Sequence, residues 1–224
     1  MDPVVSPETR AAFDRERGAA RTARPRDEAA MRELTQKMYA RLEAFQGKVI
    51  AENDVTFACR RGCSYCCHLR VEMRPHEAFV LAHHIATRVD PATRNRLTAR
   101  LEATATRLAT MSVEEHRRAV IPCALLEDGA CAVYEARPAA CRKYYSVSVD
   151  TCRDAYDNIA APLSGPLEDD NVRLAGNAIA LGYTKGREEA GMDTKLYELH
   201  FALRRALQDS VALRRYRAGK QAFV

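Results

Sequence analysis

Tryptophan is absent from this chain, aromatic residues make up only 7%, and the longest compact apolar run is Ala78–Ala82. A platform for stacking bases is therefore poorly supplied. A run of that length is also far short of the ~18 to 20 residues of a membrane span. Neither a nucleic-acid partner nor a membrane is expected. The N-terminus has no apolar stretch of the kind that opens a secretory signal, so the expected location is cytoplasmic. Several catalytic signatures are missing as well: there is no GxSxG elbow, no phosphate-binding loop, no glycine-rich dinucleotide turn and no HExxH. The stretch Gly182–Gly186 (GYTKG) lacks the spacing of a phosphate loop.

What remains is a chain of 224 residues with 47% hydrophobic content, enough to bury a core. Its length corresponds to one domain or at most two. The net charge is +5. Between Arg204 and Lys220 stand six basic residues against Asp209 alone, a surplus equal to that whole net charge. A basic end can dock an acidic partner or simply form the solvated face of a terminal helix.

Apolar spacing predicts a mainly α fold. Residues 1–26 read as a flexible tail, punctuated by Pro3, Pro7, Gly18 and Pro25. Met31, Leu34, Met38, Leu42 and Phe45 then recur at helical spacing over 27–48. Leu69–Met73 alternates like a short strand, and Pro75 opens a helix to about Val89. Asp90-Pro91 reads as a cap and restart for a helix carrying Leu97, Leu101 and Leu108. Ile121–Tyr145 has no sustained period, with Pro122, Gly129 and Pro138. A short helix is expected at 150–159, a loop around Pro162, Gly165 and Pro166, and helices at 169–182 and 193–208. No βα alternation suggests a barrel or a doubly wound sheet. The expected architecture is a single helical domain over 27–208, with little or no β, around an irregular cysteine-rich centre. Residues 209–224 form a basic tail in this reading.

Eight cysteines carry the chemistry. They fall in two groups, Cys59-x3-Cys63-x2-Cys66-Cys67 and Cys123-x7-Cys131-x9-Cys141-x10-Cys152. Disulfides need an oxidising compartment, which nothing in the chain indicates. Buried packing cysteines could explain one or two positions. Four cysteines within nine residues, beside Arg60, Arg61 and His68, point instead to metal. Thiolates are soft anionic ligands suited to zinc or iron–sulphur clusters. Gly62 can supply unusual backbone angles in the first loop, and the neighbouring arginines would favour thiolate over thiol. Adjacent Cys66 and Cys67 diverge, so one could serve a second metal or stay free. The Cys59/Cys63/Cys66 spacing matches that by which radical enzymes hold a [4Fe-4S] cluster, although the βα barrel of those enzymes is absent. Cys-x2-Cys, favoured by zinc knuckles, occurs only at Cys63/Cys66. Spacing places an iron–sulphur cluster slightly ahead of zinc. His68 is the only histidine beside the cluster, and adjacent His83 and His84 cannot easily chelate together.

On these residues the chain resembles the YkgJ-type cysteine-cluster family, known for a CxxCxxCC pattern and for chelating zinc or iron. Cys63, Cys66 and Cys67 align with the CxxCC core and Cys59 with the leading cysteine, one residue further away than in the name motif. Ser64 stands where the family often has glycine. Pro122-Cys123, Cys131-Ala132-Val133-Tyr134, Arg137-Pro138 and Cys141-Arg142 resemble the second half of the family signature, and Glu77 also resembles a family position. The resemblance implies a metal site with Cys59, Cys63, Cys66, Cys67, Cys123, Cys131, Cys141 and Cys152 as candidate ligands. Tyr134, Arg137 and Arg142 would contact the bound group or orient its ligands. One branch, flagellin lysine N-methylase, carries this domain in a longer chain. That branch raises a second expectation, metal-dependent group transfer to a protein side chain. A third is a structural zinc module docking an unidentified protein partner through the basic C-terminal segment.

Overall fold

The computed structural model describes residues 5–60, 62–160 and 165–224. Pro3, Arg61 and Pro162, singled out above, lie outside the described residues. The fold is mainly α, with ten helices and two minimal two-stranded ladders among the described residues.

Helices α1 (Pro7–Thr22), α2 (Glu28–Glu52) and α8 (Asp170–Glu189) pack together as one layer. Their buried side chains include Ala12, Met38, Leu42, Ile179 and Tyr183. The segment that composition marks as a loose leader is thus mostly an ordered helix lying along α8. The cause is small residues on both faces. A Cβ on Gly182 would come within 2.6 Å of the Phe13 carbonyl oxygen, and one on Gly186 within 2.3 Å of the Arg17 oxygen. An ion pair and a buried guanidinium fasten this packing. Buried Glu16 accepts two hydrogen bonds of 2.6 Å from Arg41, and Arg187 donates to the Ala20 and Ala23 carbonyls at the end of α1. Those carbonyls have no partner within the helix, so a buried guanidinium is a suitable cap.

The second layer is built from α3 (Pro75–Arg88), α4 (Pro91–Leu108), α9 (Leu199–Gln208) and α10 (Ala212–Arg217). Met73, Leu81, Ile85, Leu97, Leu101 and Leu203 form its core. Asp90 caps α4 as its sequence position predicts, accepting from Thr93 N at 3.0 Å. The C-terminal segment is not a solvated tail: Tyr216, Ala222 and Phe223 are fully buried against Phe79. Most of its basic residues are engaged inside the chain. Arg204 pairs with Glu102, Arg205 and Arg215 with Asp209, and Arg217 donates to the Arg26 carbonyl. The apolar content of the last few residues was outweighed, in the sequence reading, by their charge.

Strand β1 (Glu72–Met73) pairs antiparallel with β4 (Tyr197–Glu198), which takes up the start of the helix expected from residue 193. The expected irregular stretch contains a hairpin, β2 (Leu126–Glu127) with β3 (Ala130–Cys131). Its two-residue turn, Asp128-Gly129, has φ of 49° and 75°. Two positive φ values in a row are the requirement of the tight hairpin turn that Asp-Gly favours. Short helices α5 (Val113–Arg117), α6 (Ala139–Arg142) and α7 (Val149–Asp157) complete the fold.

Two predictions follow from this packing. Gly186→Ala should destabilise the protein by about 1–3 kcal/mol, because two of the three nearest atoms are backbone and cannot yield. Gly47→Ala, in the exposed interior of α2 with nothing within 4 Å, should stabilise it by about 0.5–1 kcal/mol. Urea unfolding of both variants checks the opposite signs; equal signs would reject the close-packed α1–α8 interface. The second prediction concerns His76, which is buried with its Nδ1 unpartnered and its ring edge-on to Tyr183. Burial, then Arg74 and Arg187, depress its pKa to about 3. The depressed folded-state value means that this residue favours folding above its unfolded pKa and loses that contribution as pH falls. Between pH 7 and pH 5 the loss should be about 2 kcal/mol. His76→Phe should remove that part of the pH dependence, as read from unfolding midpoints at the two pH values.

Candidate metal centre

The cysteines are carried on irregular backbone at one side of the helical layers, and main-chain hydrogen bonds set their positions. Cys59 follows α2 in an extended segment that runs beside residues 145–147, with Ala58 N donating to Ser146 O at 2.9 Å. The Ser146 N–H donates to Cys59 Sγ at 3.3 Å. Gly62 has φ of 88°, and Cys63 N closes a turn onto Arg60 O at 3.0 Å. Cys66 and Cys67 sit on a single 3-10 turn, Tyr65–His68, and the two thiols, expected to diverge, are within hydrogen-bonding reach of each other. His68 binds the Ser64 carbonyl through Nδ1 at 2.9 Å and lies edge-on to Tyr156 of α7. The sole histidine beside the cluster is thereby committed through one nitrogen to this turn.

The second group is sewn to the first. Cys123 N donates to Cys67 O at 2.7 Å, and Ile121 N to His68 O at 3.3 Å. Ala124 is held on both of its polar groups. Its N–H donates to His200 Nε2 at 3.1 Å, and its carbonyl accepts from Arg100 Nε at 3.1 Å. His200 in turn binds Glu198 through Nδ1 at 2.6 Å, which leaves Nε2 as the acceptor. The hairpin returns Cys131 opposite Leu126, and its Gly129 lies near the Gly62 carbonyl of the first loop. Cys141 is in α6 and the buried Cys152 is in α7.

Buried Glu77 positions the loop that carries Cys141. Its carboxylate accepts from Arg74 N (2.9 Å), Tyr39 Oη (3.3 Å) and Ala139 N (2.6 Å), so it caps α3 and the first residue of α6 at once. Arg142 braces the same loop from inside. It donates to the Arg137 carbonyl at 2.7 Å, to the Glu135 carbonyl and to Glu43, and it lies 4.2 Å from the centre of the Tyr39 ring. Those contacts are to the protein frame. Arg137 instead lies within electrostatic reach of Cys66, Cys131 and Cys141. Its guanidinium is stacked 3.7 Å over the exposed Tyr134 ring, and its buried Nε has no partner.

All eight cysteines are free. Burial pushes the Cys131 and Cys141 thiols up and raises Cys123 to about 11. Each of these three also feels Cys66 as a like charge. Cys59 and Cys152 are raised by burial and feel Cys63 and Cys66. Cys66 itself is raised, first by its hydrogen bond with Cys67 and then by burial. Arg137 opposes these shifts at Cys66, Cys131 and Cys141. Cys66 is thus the thiol common to a set with Cys59, Cys63 and Cys152 and a set with Cys123, Cys131 and Cys141. Among the described residues, no three Cys, His, Asp or Glu side chains gather closely enough to hold a metal ion. The two sets share one face of the fold without closing on a point.

The donors nevertheless suit a soft metal. They are unpaired sulphurs with a cation among them, and that cation has a buried N–H left over. A cleft of about 380 Å³ borders the first set, lined by Arg60, Cys63, Tyr65, His68, Arg153 and Tyr156 among others. The residues that the sequence reading left out are those acting through the main chain, Ser146 and Ala124 with its His200 partner. No side-chain motif announces them, because the donor or acceptor is a peptide group.

The arrangement places free thiols on hydrogen-bonded loops beside a helical frame. Residues 58–159 match the CxxCxxCC family model, described as "Putative zinc- or iron-chelating domain". The matched stretch is under half of the chain and contains all eight cysteines. It is the family that the cysteine pattern resembles. No curated protein and no solved structure matches the chain. No helix among the described residues is long and apolar enough to cross a membrane.

The field of Arg137 gives a signed prediction. Thiols must lose protons to bind metal. Removing the cation raises the thiol pKa values, so protons compete up to higher pH. Arg137→Gln should move the pH of half-maximal zinc uptake upward by about 0.5–1 unit. Arg137→Lys should restore part of the shift. Zinc titration with a chromophoric chelator reads both; an unmoved or lowered midpoint would contradict the placement of this cation among the ligands.

Proposed function

We propose that the protein binds zinc or iron through thiolates at the 59–152 centre, with all eight cysteines as ligand candidates. The observation that carries the proposal is that the two sequence groups of cysteines, all eight free, are joined by the Cys123–Cys67 main-chain bond. Mutual repulsion of thiolates and their burial are unfavourable without a cation. The guanidiniums of Arg137 and Arg100 cannot neutralise eight sulphurs, whereas metal ions can. Spread over two sets, the sulphurs favour several metal atoms, as an iron–sulphur cluster or a pair of zinc ions, over a single ion. Binding would also tie the loops to one another, so that metal affinity becomes folding free energy.

The test is the iron, zinc and acid-labile sulphide content of protein purified without oxygen, beside Cys66→Ser and Cys141→Ser. Stoichiometric metal is expected in the parent chain. Cys141→Ser should lower it, and Cys66→Ser should lower it at least as far, because Cys66 belongs to both sets. About four iron and four sulphide per chain would identify a cubane cluster; one or two zinc without sulphide would identify the zinc form. A parent chain without bound metal, or full retention in both variants, would defeat the proposal.

The cleft beside Cys63 supports a second reading, in which the centre acts on a bound molecule in group transfer. S-adenosylmethionine titrated into the metal-loaded protein tests it. Saturable binding weakened by Arg153→Gln is expected on that reading, and no binding removes it.

A further inference from the structure

A larger cleft opens on the other side of the loop that carries Cys141. It measures about 680 Å³ and lies between α2 and α3, with residues 135–142 closing one end. The volume is that of a small-molecule site. Its chemistry is set by guanidinium groups. Arg88 has no ion-pair or hydrogen-bond partner among the described residues, and Arg32 has only Glu28, at 3.7 Å. Arg142 forms part of the wall but is occupied by Glu43 and by loop carbonyls. His83 and His84 line the cleft from α3. Burial followed by Arg32 and Arg88 lowers the His83 pKa, and burial lowers that of His84 despite nearby Glu135. Both rings are therefore held toward the neutral form. The acids facing the cleft are Glu43 and Glu135, the first already paired.

Two guanidinium forks on facing helices, one without a partner and one with a long contact only, can each take a planar or tetrahedral oxyanion. We propose that this cleft binds a small molecule carrying two anionic groups, phosphate or carboxylate, held by Arg32 and Arg88 with His83 and His84 as further hydrogen-bonding partners. The cleft is apart from the thiol sets, so the proposal stands without the metal reading. The two meet only at the loop where Arg142 follows Cys141.

The test uses the full chain and two probes, pyrophosphate and succinate, followed by calorimetry and by the imidazole signals of His83 and His84. At least one probe should bind with a Kd of about 1 mM or tighter and shift both histidines. Pyrophosphate alone would identify a phosphate-bearing ligand, and succinate a dicarboxylate. Arg32→Gln/Arg88→Gln should weaken binding at least about tenfold, the effect expected from losing charge-assisted bonds, with metal content unchanged. The charge-matched control Arg107→Gln/Arg214→Gln, at exposed arginines elsewhere, should leave it intact. Failure of both probes to bind at about 10 mM, undiminished binding in the first variant, or equal weakening in the control would each overturn the proposal.

Discussion

The carboxylate of Glu77 takes hydrogen bonds from three separate parts of the chain: its own helix start, Tyr39 on α2 and the first peptide of α6. It is almost wholly buried, and burial holds its pKa above the ordinary carboxylate range. A buried carboxylate without donors would be strongly unfavourable. The three donors offset that cost only if α2, α3 and the Arg137–Arg142 loop keep one relative placement. The loop carrying Cys141 is therefore located by the helical core rather than by its own conformational preference. Arg142, stacked on Tyr39 and bonded to two carbonyls of the same loop, holds it from a second direction.

The same logic runs through the rest of the centre. Each cysteine loop is attached to a neighbour by peptide hydrogen bonds: Cys59 through Ser146, Cys67 to Cys123, and Ala124 to His200. Peptide groups at such a position need partners in any case. Some of them also reach the thiols, as the Ser146 N–H does at Cys59 Sγ. The result is a hydrogen-bonded backbone under thiols several of which burial and the repulsion between would-be thiolates hold in the protonated form. Raised thiol pKa values, opposed by the charges of Arg137 and Arg100, tie the protonation of these thiols to their surroundings. Helical layers provide the frame because loops this irregular could not hold one another without a core beneath them.

Much of the fold was legible from periodicity and punctuation. The apolar spacing from Met31 to Phe45 and the Asp90-Pro91 cap correspond to α2 and α4. Three features were not. Residues 7–22 are low in apolar content, and their helix is held by close contact of Ala20 with Gly186 rather than by large side chains, a signal that no hydrophobic count registers. The C-terminal segment is rich in arginine, yet three residues, Tyr216, Ala222 and Phe223, complete the core while the arginines pair locally. The Asp128-Gly129 hairpin was hidden by the shortness of its strands, two residues each, too few for an alternation to show.

At the site, spacing alone identified the eight thiols and divided them into two sequence groups. Soft, ionisable sulphurs so close together suit metal, so the expected class of chemistry followed from composition and position. The spatial grouping was not. Cys152 is sequentially in the second group but lies electrostatically with Cys59 and Cys63, and Cys66 belongs to both. Of the three polar residues in the signature, only tertiary contacts separate Arg137, which lies within electrostatic reach of Cys66, Cys131 and Cys141, from Arg142, which faces Tyr39 and Glu43. Sequence distance sets which residues a single loop can bring together. Which loops meet is decided by long-range packing and by where buried polar groups find partners, and those are properties of the folded chain alone.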